Sequence, residues 1–238
     1  ELLGHVCGVL FSPEDLQIVK DGPAERRRFM DMQLSQLRPA YFYALQRAVR
    51  TLNQRNALLK EIARNPSLMP TLDMWDEQLA VNGALIYENR REAIEKLGEL
   101  ARQAHASLTG GREELNLRYI SQIGDAPNAY EAILEKLHAA RNEDLRRMTT
   151  TVGVHRDDIG ISINGKEART FASQGQQRSA ALSLKLSEIE MIRRTISDPP
   201  VLLLDDVLSE LDANRQNHLL ESIKGIQTII TCTGLDEF

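Results

Sequence analysis

The chain has 238 residues, 42% hydrophobic and 26% charged, with 29 Lys and Arg against 34 Asp and Glu and a net charge of −5. That balance is ordinary for a folded globular protein; it excludes wholesale disorder and a uniformly basic nucleic-acid binder, while leaving room for a local basic patch. Two cysteines, Cys7 and Cys232, are too few for a disulfide framework, nothing has metal-ligand spacing, and no apolar run approaches the ~20 residues that span a bilayer, so a cytoplasmic, membrane-free protein is expected.

The chain opens on Glu1 without a methionine or a signal-peptide pattern, which reads as a processed chain or, in preference, as a piece of something longer. Val6, Val9, Leu10 and Phe11 predict a short strand, ended by Ser12-Pro13-Glu14-Asp15, where Ser before Pro and two acids marks a helix start. Asp21-Gly22-Pro23 is turn chemistry, with a helix beginning after it. Residues 20–64 hold ten basic side chains against four acidic ones, among them Arg26, Arg27, Arg28, Arg38, Arg47, Arg50, Arg55 and Lys60. Such a stretch could contact phosphates, or it could be a solvated helix face.

From about 31 to 148 the pattern is helical. Leu34, Leu37, Leu45, Val49, Leu52, Leu58 and Leu59 recur near a 3.6-residue period, Pro39 marks a start or break, and Asn65-Pro66 and Met69-Pro70 punctuate. A long helix is expected over about 72–108, closed by Gly110-Gly111. Tyr119 and Ile120 form a short strand-like interruption, and a further helix follows the Asp125-Ala126-Pro127-Asn128 turn to about 148. The stretch reads as an arm or small helical subdomain, with an ordinary bundle as the alternative.

From 149 the character changes. Thr149, Thr150, Thr151 and Val152, then Ile159, Ile161 and Ile163, favour strands, and Asn164-Gly165 signals a hairpin into a strand over 167–171. A helix is expected over about 176–196. Val201-Leu202-Leu203-Leu204 then has the continuous apolar character of a parallel strand buried on both faces. A helix over 214–223 and a strand over 227–232 complete a β-α-β pattern, and hence an α/β sheet.

The apolar strand runs directly into Asp205-Asp206. Carboxylates at the C-terminal end of a buried parallel strand stand where open α/β sheets bind ligands. One can hold a hydrated Mg²⁺ beside phosphates while the next orients an attacking water; the bland alternative is a solvated strand end. Thirty residues earlier, Ser173-Gln174-Gly175-Gln176-Gln177-Arg178 precedes an amphipathic helix, whose free N–H groups suit an anion, although N-capping asks for the same residues. The ordered series of helix start, helix, acid-terminated strand and Ser209-Glu210-Leu211-Asp212 is much more specific than its parts.

These three segments resemble the signature motif, Walker B strand and D-loop of ABC-type ATPase heads. Phe11-Ser12-Pro13-Glu14-Asp15-Leu16, Gln54-Arg55-Asn56-Ala57-Leu58-Leu59-Lys60, His155-Arg156-Asp157-Asp158 and the full Ser173-to-Arg178 run narrow the resemblance, over essentially the whole chain, to the RecF family of bacterial recombination mediators, related to SMC-like heads. The resemblance implies an α/β ABC-type ATPase head with an inserted all-helical arm: 1–35 the end of a first ATPase lobe, 36–148 the arm, and 149–238 the lobe with signature, Walker B and D-loop. It implies ATP and Mg²⁺ as cofactors, with Asp205 on the metal and Asp206 as the catalytic carboxylate. Ser173, Gly175 and Gln176, in a motif completed by Gln177 and Arg178, would meet the γ-phosphate of ATP held by the opposite subunit. Ser209 and Asp212 would lie across the dimer interface, and Thr233 would sense the γ-phosphate. It further implies an ATP-dependent homodimer at single-strand/double-strand DNA junctions, acting with RecR and RecO to load recombinase at gaps. Arg26, Arg27, Arg28, Arg47, Arg50 and Arg55 are the candidate DNA contacts.

No G-x-x-x-x-G-K-[ST] occurs, so the β- and γ-phosphates have no cradle, and the chain alone is expected neither to bind ATP tightly nor to hydrolyse it. Two rivals remain: a non-enzymatic DNA clamp or scaffold on the same fold, and a transporter nucleotide-binding subunit, which would not be expected to carry the long helical insert. His155 reads as a structural hydrogen-bond partner near Asp157 and Asp158, Cys232 as a core residue, and Trp75, Tyr41 and Tyr43 as helix packing.

Overall fold

The computed structural model describes residues 7–196 and 199–231; Thr233 and Cys232 therefore lie outside the described residues. The chain divides into two compact units, one gathering Glu1–Leu37, Ala93–Arg118 and Ile159–Phe238, the other Arg38–Glu92 and Tyr119–Asp158.

The first unit begins with β1 (Gly8–Phe11), a 3₁₀ turn (Pro13–Leu16), α1 (Gln17–Lys20) and α2 (Pro23–Leu37). The Ser12 N–H donates to Asp15 Oδ2 at 2.9 Å, which starts the turn as the Ser-Pro-Glu-Asp string implies. In the second unit, α3 (Pro39–Ile62) starts on Pro39, where a missing N–H costs nothing, and a 3₁₀ turn (Pro66–Thr71) leads into α4 (Leu72–Thr109). α4 passes from the second unit into the first, so residues 93–118, which share the helical pattern of 36–148, pack with the sheet-bearing unit. Then come β2 (Leu115–Ile120), α5 (Ala129–Arg147), a 3₁₀ turn (Val154–Arg156) and β3 (Asp158–Ile163).

The stretch 149–152, expected as a strand, is not one. Its polar groups are spent on side chains: Thr150 N–H and hydroxyl both meet Asn56 Oδ1 at 2.7 Å, and Thr151 N–H and hydroxyl reach Asp144 Oδ1 at 2.8 and 2.6 Å. β3 follows the expected alternation, with Ile159, Ile161 and Ile163 buried. The Asn164-Gly165 turn has positive φ at both residues, 50° and 77°, as a type I′ hairpin requires. The returning strand is shorter than expected: β4 is only Lys166–Glu167, and the chain coils at once into α6 (Ala168–Phe171), burying Ala168.

α7 (Gln174–Thr195), β5 (Val201–Asp205), a 3₁₀ turn (Leu208–Glu210), α8 (Ala213–Ser222) and β6 (Thr228–Thr231) complete the chain. β5 lies between β1 and β6, parallel to both, with Phe11 opposite Leu204 and Asp205 opposite Thr231; β2, β3 and β4 form a second sheet in that order. Val9, Phe11, Leu202 and Leu204 enter a core with Leu182, Leu186, Ile189 and Ile192 of α7 and Leu219 of α8.

One expectation is corrected here. The run 201–204 is buried on one face only: across the sheet, Leu10, Leu203 and Ile229 form a row that stays 46%, 40% and 56% exposed, because no described layer covers it. Among the described residues, no helix is long and apolar enough to cross a membrane.

A candidate nucleotide site at the carboxyl end of the parallel sheet

β5 delivers Asp205 and Asp206 to the C-terminal edge of the sheet, and β6 brings Thr231 beside them. The Thr231 hydroxyl donates to Asp205 Oδ1 at 2.7 Å, fixing one carboxylate oxygen. The Asp206 N–H donates to the Thr231 carbonyl and hydroxyl, both at 3.2 Å. Asp206 holds a left-handed backbone, φ 49°, a conformation Asp tolerates better than most side chains and one found at sites that aim a side chain. The Ser209 hydroxyl donates to the Asp206 carbonyl at 2.7 Å and so closes the turn after the strand. Thr231, absent from the sequence-derived candidates, is the residue the register puts at the carboxylate pair.

A second cluster surrounds the start of α7. The Gln176 N–H donates to Ser173 Oγ at 3.3 Å and the Ser173 N–H to Gln176 Oε1 at 2.9 Å, a reciprocal capping box that leaves Ser173 at the surface. Gly175 has no positive φ, and a Cβ placed there would meet only Arg215 Nη2, at 3.7 Å, so nothing within 4 Å demands glycine. Gln177 is turned inward: it is buried, and its Nε2 donates to the Ala168 and Arg169 carbonyls at 3.4 Å. It supports the turn from behind, a correction to its place among the ligand contacts, whereas Arg178 is exposed.

Asp212 caps α8 by accepting the Arg215 N–H at 3.0 Å; that backbone bond, with the Arg215 guanidinium, holds its carboxyl below the usual range. The Arg215 guanidinium also bonds Asp212 directly and reaches across to α7, donating to Ser179 Oγ at 2.9 Å and to the Gly175 carbonyl at 3.2 Å. Neither Arg215 nor Glu113, which accepts from Gln176 Nε2 at 3.0 Å, carries a motif of its own in the sequence.

The basic stretch is dispersed. Arg26 is buried, with Nη1 donating to the Asp21 carbonyl at 2.7 Å, and Arg55 is wholly buried between Asp76 and Asp144. Both are corrected from surface contacts to internal struts. Arg28 is exposed near Glu25 at 3.8 Å, and Arg27 is half-buried. On α3, Arg47 and Arg50 are exposed, Arg47 Nε donating to Asn82 Oδ1 at 2.9 Å, and residues 39–60 contain no acid at all. His155 Nε2 lies 3.1 Å from the Thr150 carbonyl, a structural role. Asp73, Asp76 and His138 could converge on a cation, but Arg141 already bonds both carboxylates and Arg55 bonds Asp76.

No family model matches the chain. It is 52% identical over 238 residues to the DNA replication and repair protein RecF of Agathobacter rectalis, and 52% identical over 240 residues to that of Lachnospira eligens, in both cases along its whole length. Along its whole length the chain is thus similar to RecF proteins. A structure of the recombination mediator RecF with ATP, from the RecFOR pathway, superposes on the whole chain with a TM-score of 0.93 at 39% identity. The corresponding RecF-ATPrS structure gives 0.92 at 38% identity over 99% of the chain. The chain spans 64–65% of the length of these RecF proteins.

Proposed function

We propose that this chain is the signature and Walker B part of an ATP-dependent, DNA-binding RecF protein of recombinational repair, which dimerises around ATP and acts with RecR and RecO to load recombinase at gapped DNA. The observation that carries the reading is the pair Asp205 and Asp206 at the carboxyl end of a parallel strand, in a chain that matches ATP-bound RecF from end to end. Asp205, with one oxygen fixed by Thr231, would hold Mg²⁺, which would neutralise phosphate charge. Asp206 would orient and deprotonate the attacking water. Ser173, exposed at the start of α7, and the N–H of the half-buried Gly175 would meet the γ-phosphate held by a second copy, with Ser209 and Asp212 at the same interface. The assignment of Thr233 to the γ-phosphate rests on resemblance alone. The second unit would serve as the helical arm.

This sequence contains no P-loop, so the chain alone should show no ATP turnover above a buffer blank. The exposed Leu10, Leu203 and Ile229 row supports a further layer, contributed by the part of the protein that the relatives' greater length represents.

The full-length protein tests the reading. Asp206→Asn should lower kcat about 10²–10⁴-fold while ATP is still bound; unchanged repair with this variant would favour the scaffold. Gly175→Ala separates fold from function more sharply. Alanine should leave stability equal or raise it by up to about 1 kcal/mol, while its methyl, placed where phosphate would approach, should abolish ATP-dependent dimerisation in sedimentation. A dimer as tight as the unsubstituted one would count against the signature assignment. For DNA, replacing Arg47 and Arg50 together with Ala should weaken binding to every sequence alike and lower the salt slope by about 2; a slope unchanged in a salt titration would remove α3 from the DNA surface.

A further inference from the structure

The turn that starts α7 is held from two sides by residues outside its own motif. On one side stands Arg215, in the first turn of α8. Its Nη2 donates to the Gly175 carbonyl at 3.2 Å and to Ser179 Oγ at 2.9 Å, its Nε to Ser179 Oγ at 3.1 Å, and its Nη1 to the Asp212 carboxylate. On the other side stands Glu113. Its Oε1 accepts from Gln176 Nε2 at 3.0 Å, and its Oε2 lies 3.1 Å from Nε2 of the wholly buried His105. His105 Nδ1 is in turn 3.0 Å from Ser183 Oγ, one turn below Ser179 on α7, and the Ser183 hydroxyl donates to the Ser179 carbonyl at 2.7 Å. The circuit returns to the helix it started from.

A helix N-terminus normally frays, because its first N–H groups lack intrahelical partners. Here Gln176 spends both ends of its amide, the oxygen on Ser173 and the nitrogen on Glu113, so its side chain is a brace and not a free ligand. The Gly175 carbonyl, on a residue with no side chain to anchor it, is tied to the same guanidinium that holds Asp212.

We propose that Arg215 and Glu113 are positioning residues: together they lock residues 173–176 to the Asp212 loop, so that both are presented to a second copy's nucleotide as one rigid surface. This rests on the ATP-dimer reading above. N–H groups already aimed at a phosphate gain more from it than groups that must first be ordered. Arginine is specific to the role, because a planar fork spans three acceptors at once and an ammonium does not.

The test uses the full-length protein with Arg215→Ala, Arg215→Lys, Glu113→Ala and Glu113→Gln. Amide hydrogen exchange over 174–178 is measured without nucleotide, and the dimer dissociation constant with ATP. Arg215→Ala, Arg215→Lys and Glu113→Ala should each speed exchange at least tenfold and weaken the dimer at least tenfold. Melting temperature and the monomer's ATP affinity should stay nearly constant. Glu113→Gln keeps a carbonyl for Gln176 and should restore both. Unchanged exchange in Arg215→Ala and Glu113→Ala overturns the proposal, as does faster exchange with an unaltered dimer. If the unsubstituted protein forms no ATP-dependent dimer, the underlying reading fails instead, a result visible before any substitution is made.

Discussion

Arg55→Ala should destabilise the helical unit by about 3–5 kcal/mol, a loss comparable to much of a domain's net stability. Arg55 is wholly buried, and so are both acids it holds: Nε donates to Asp76 Oδ1 and Nη1 to Asp144 Oδ2, each at 2.6 Å, and Nη1 also reaches the Thr150 hydroxyl at 2.9 Å. Alanine leaves two carboxylates facing one another in a dry interior. Arg141 would still serve Asp76, and Thr151 would still serve Asp144, but neither supplies the cation between them. Lysine should rescue less than half of the loss, since one ammonium cannot occupy both fork positions. Urea denaturation of the unit's helical signal measures this. The contrast with Arg50→Ala is diagnostic: that exposed side chain should change stability by less than about 0.5 kcal/mol. An Arg55→Ala cost near that of Arg50→Ala would show the buried triad to be dispensable.

The same residue explains what sequence reasoning could and could not reach. Element existence and type were legible wherever a period or a cap was strong: the long α4, the alternating β3, the Asn164-Gly165 turn and the β5-α8-β6 series all stand where the pattern puts them. The inward face of α3 was not. Leu45, Val49 and Leu52 suggested an apolar stripe, but the buried face runs through Tyr41, Ala44, Ala48, Thr51, Arg55 and Leu59, and Val49 is 50% exposed. A buried arginine has no hydropathic signature, because its partners lie 21 and 89 residues away. The site divides in the same way. The places of Asp205 and Asp206 at a strand end and of Ser173 at a helix cap were readable, since local order fixes them. Thr231, Glu113 and Arg215 reach the site only through register and helix packing, which one sequence does not display. Gln177 was misread because a motif says which residues recur and not which way each one points.

Lys185→Met should cost about 3–5 kcal/mol near pH 7.5 and markedly less near pH 5. Lys185 lies in mid-α7 with its Nζ 2.5 Å from Glu188 Oε2 and 3.8 Å from Asp15 Oδ1, and above the rings of Phe11 and Phe29 at 5.6 and 5.7 Å. Burial pushes the Glu188 and Asp15 carboxyls upward, and Lys185 offsets this only in part. A carboxyl raised in the folded state contributes stability that is complete below its unfolded pKa and is lost as pH rises through the folded one. Removing the ammonium raises both groups further, so the variant's stability should fall more steeply than the parent's between pH 5 and 8. At pH 5 the acids can instead protonate in place. Because the fault lies in an unpaired charge and not in lost packing, Lys185→Met combined with Glu188→Leu should recover most of the stability and flatten the pH dependence. Chemical denaturation at the two pH values decides the matter. A double variant as unstable as the single one, with no pH slope, would mean that Lys185 acts through its contacts with the rings of Phe11 and Phe29 and not as a counter-charge to the two acids.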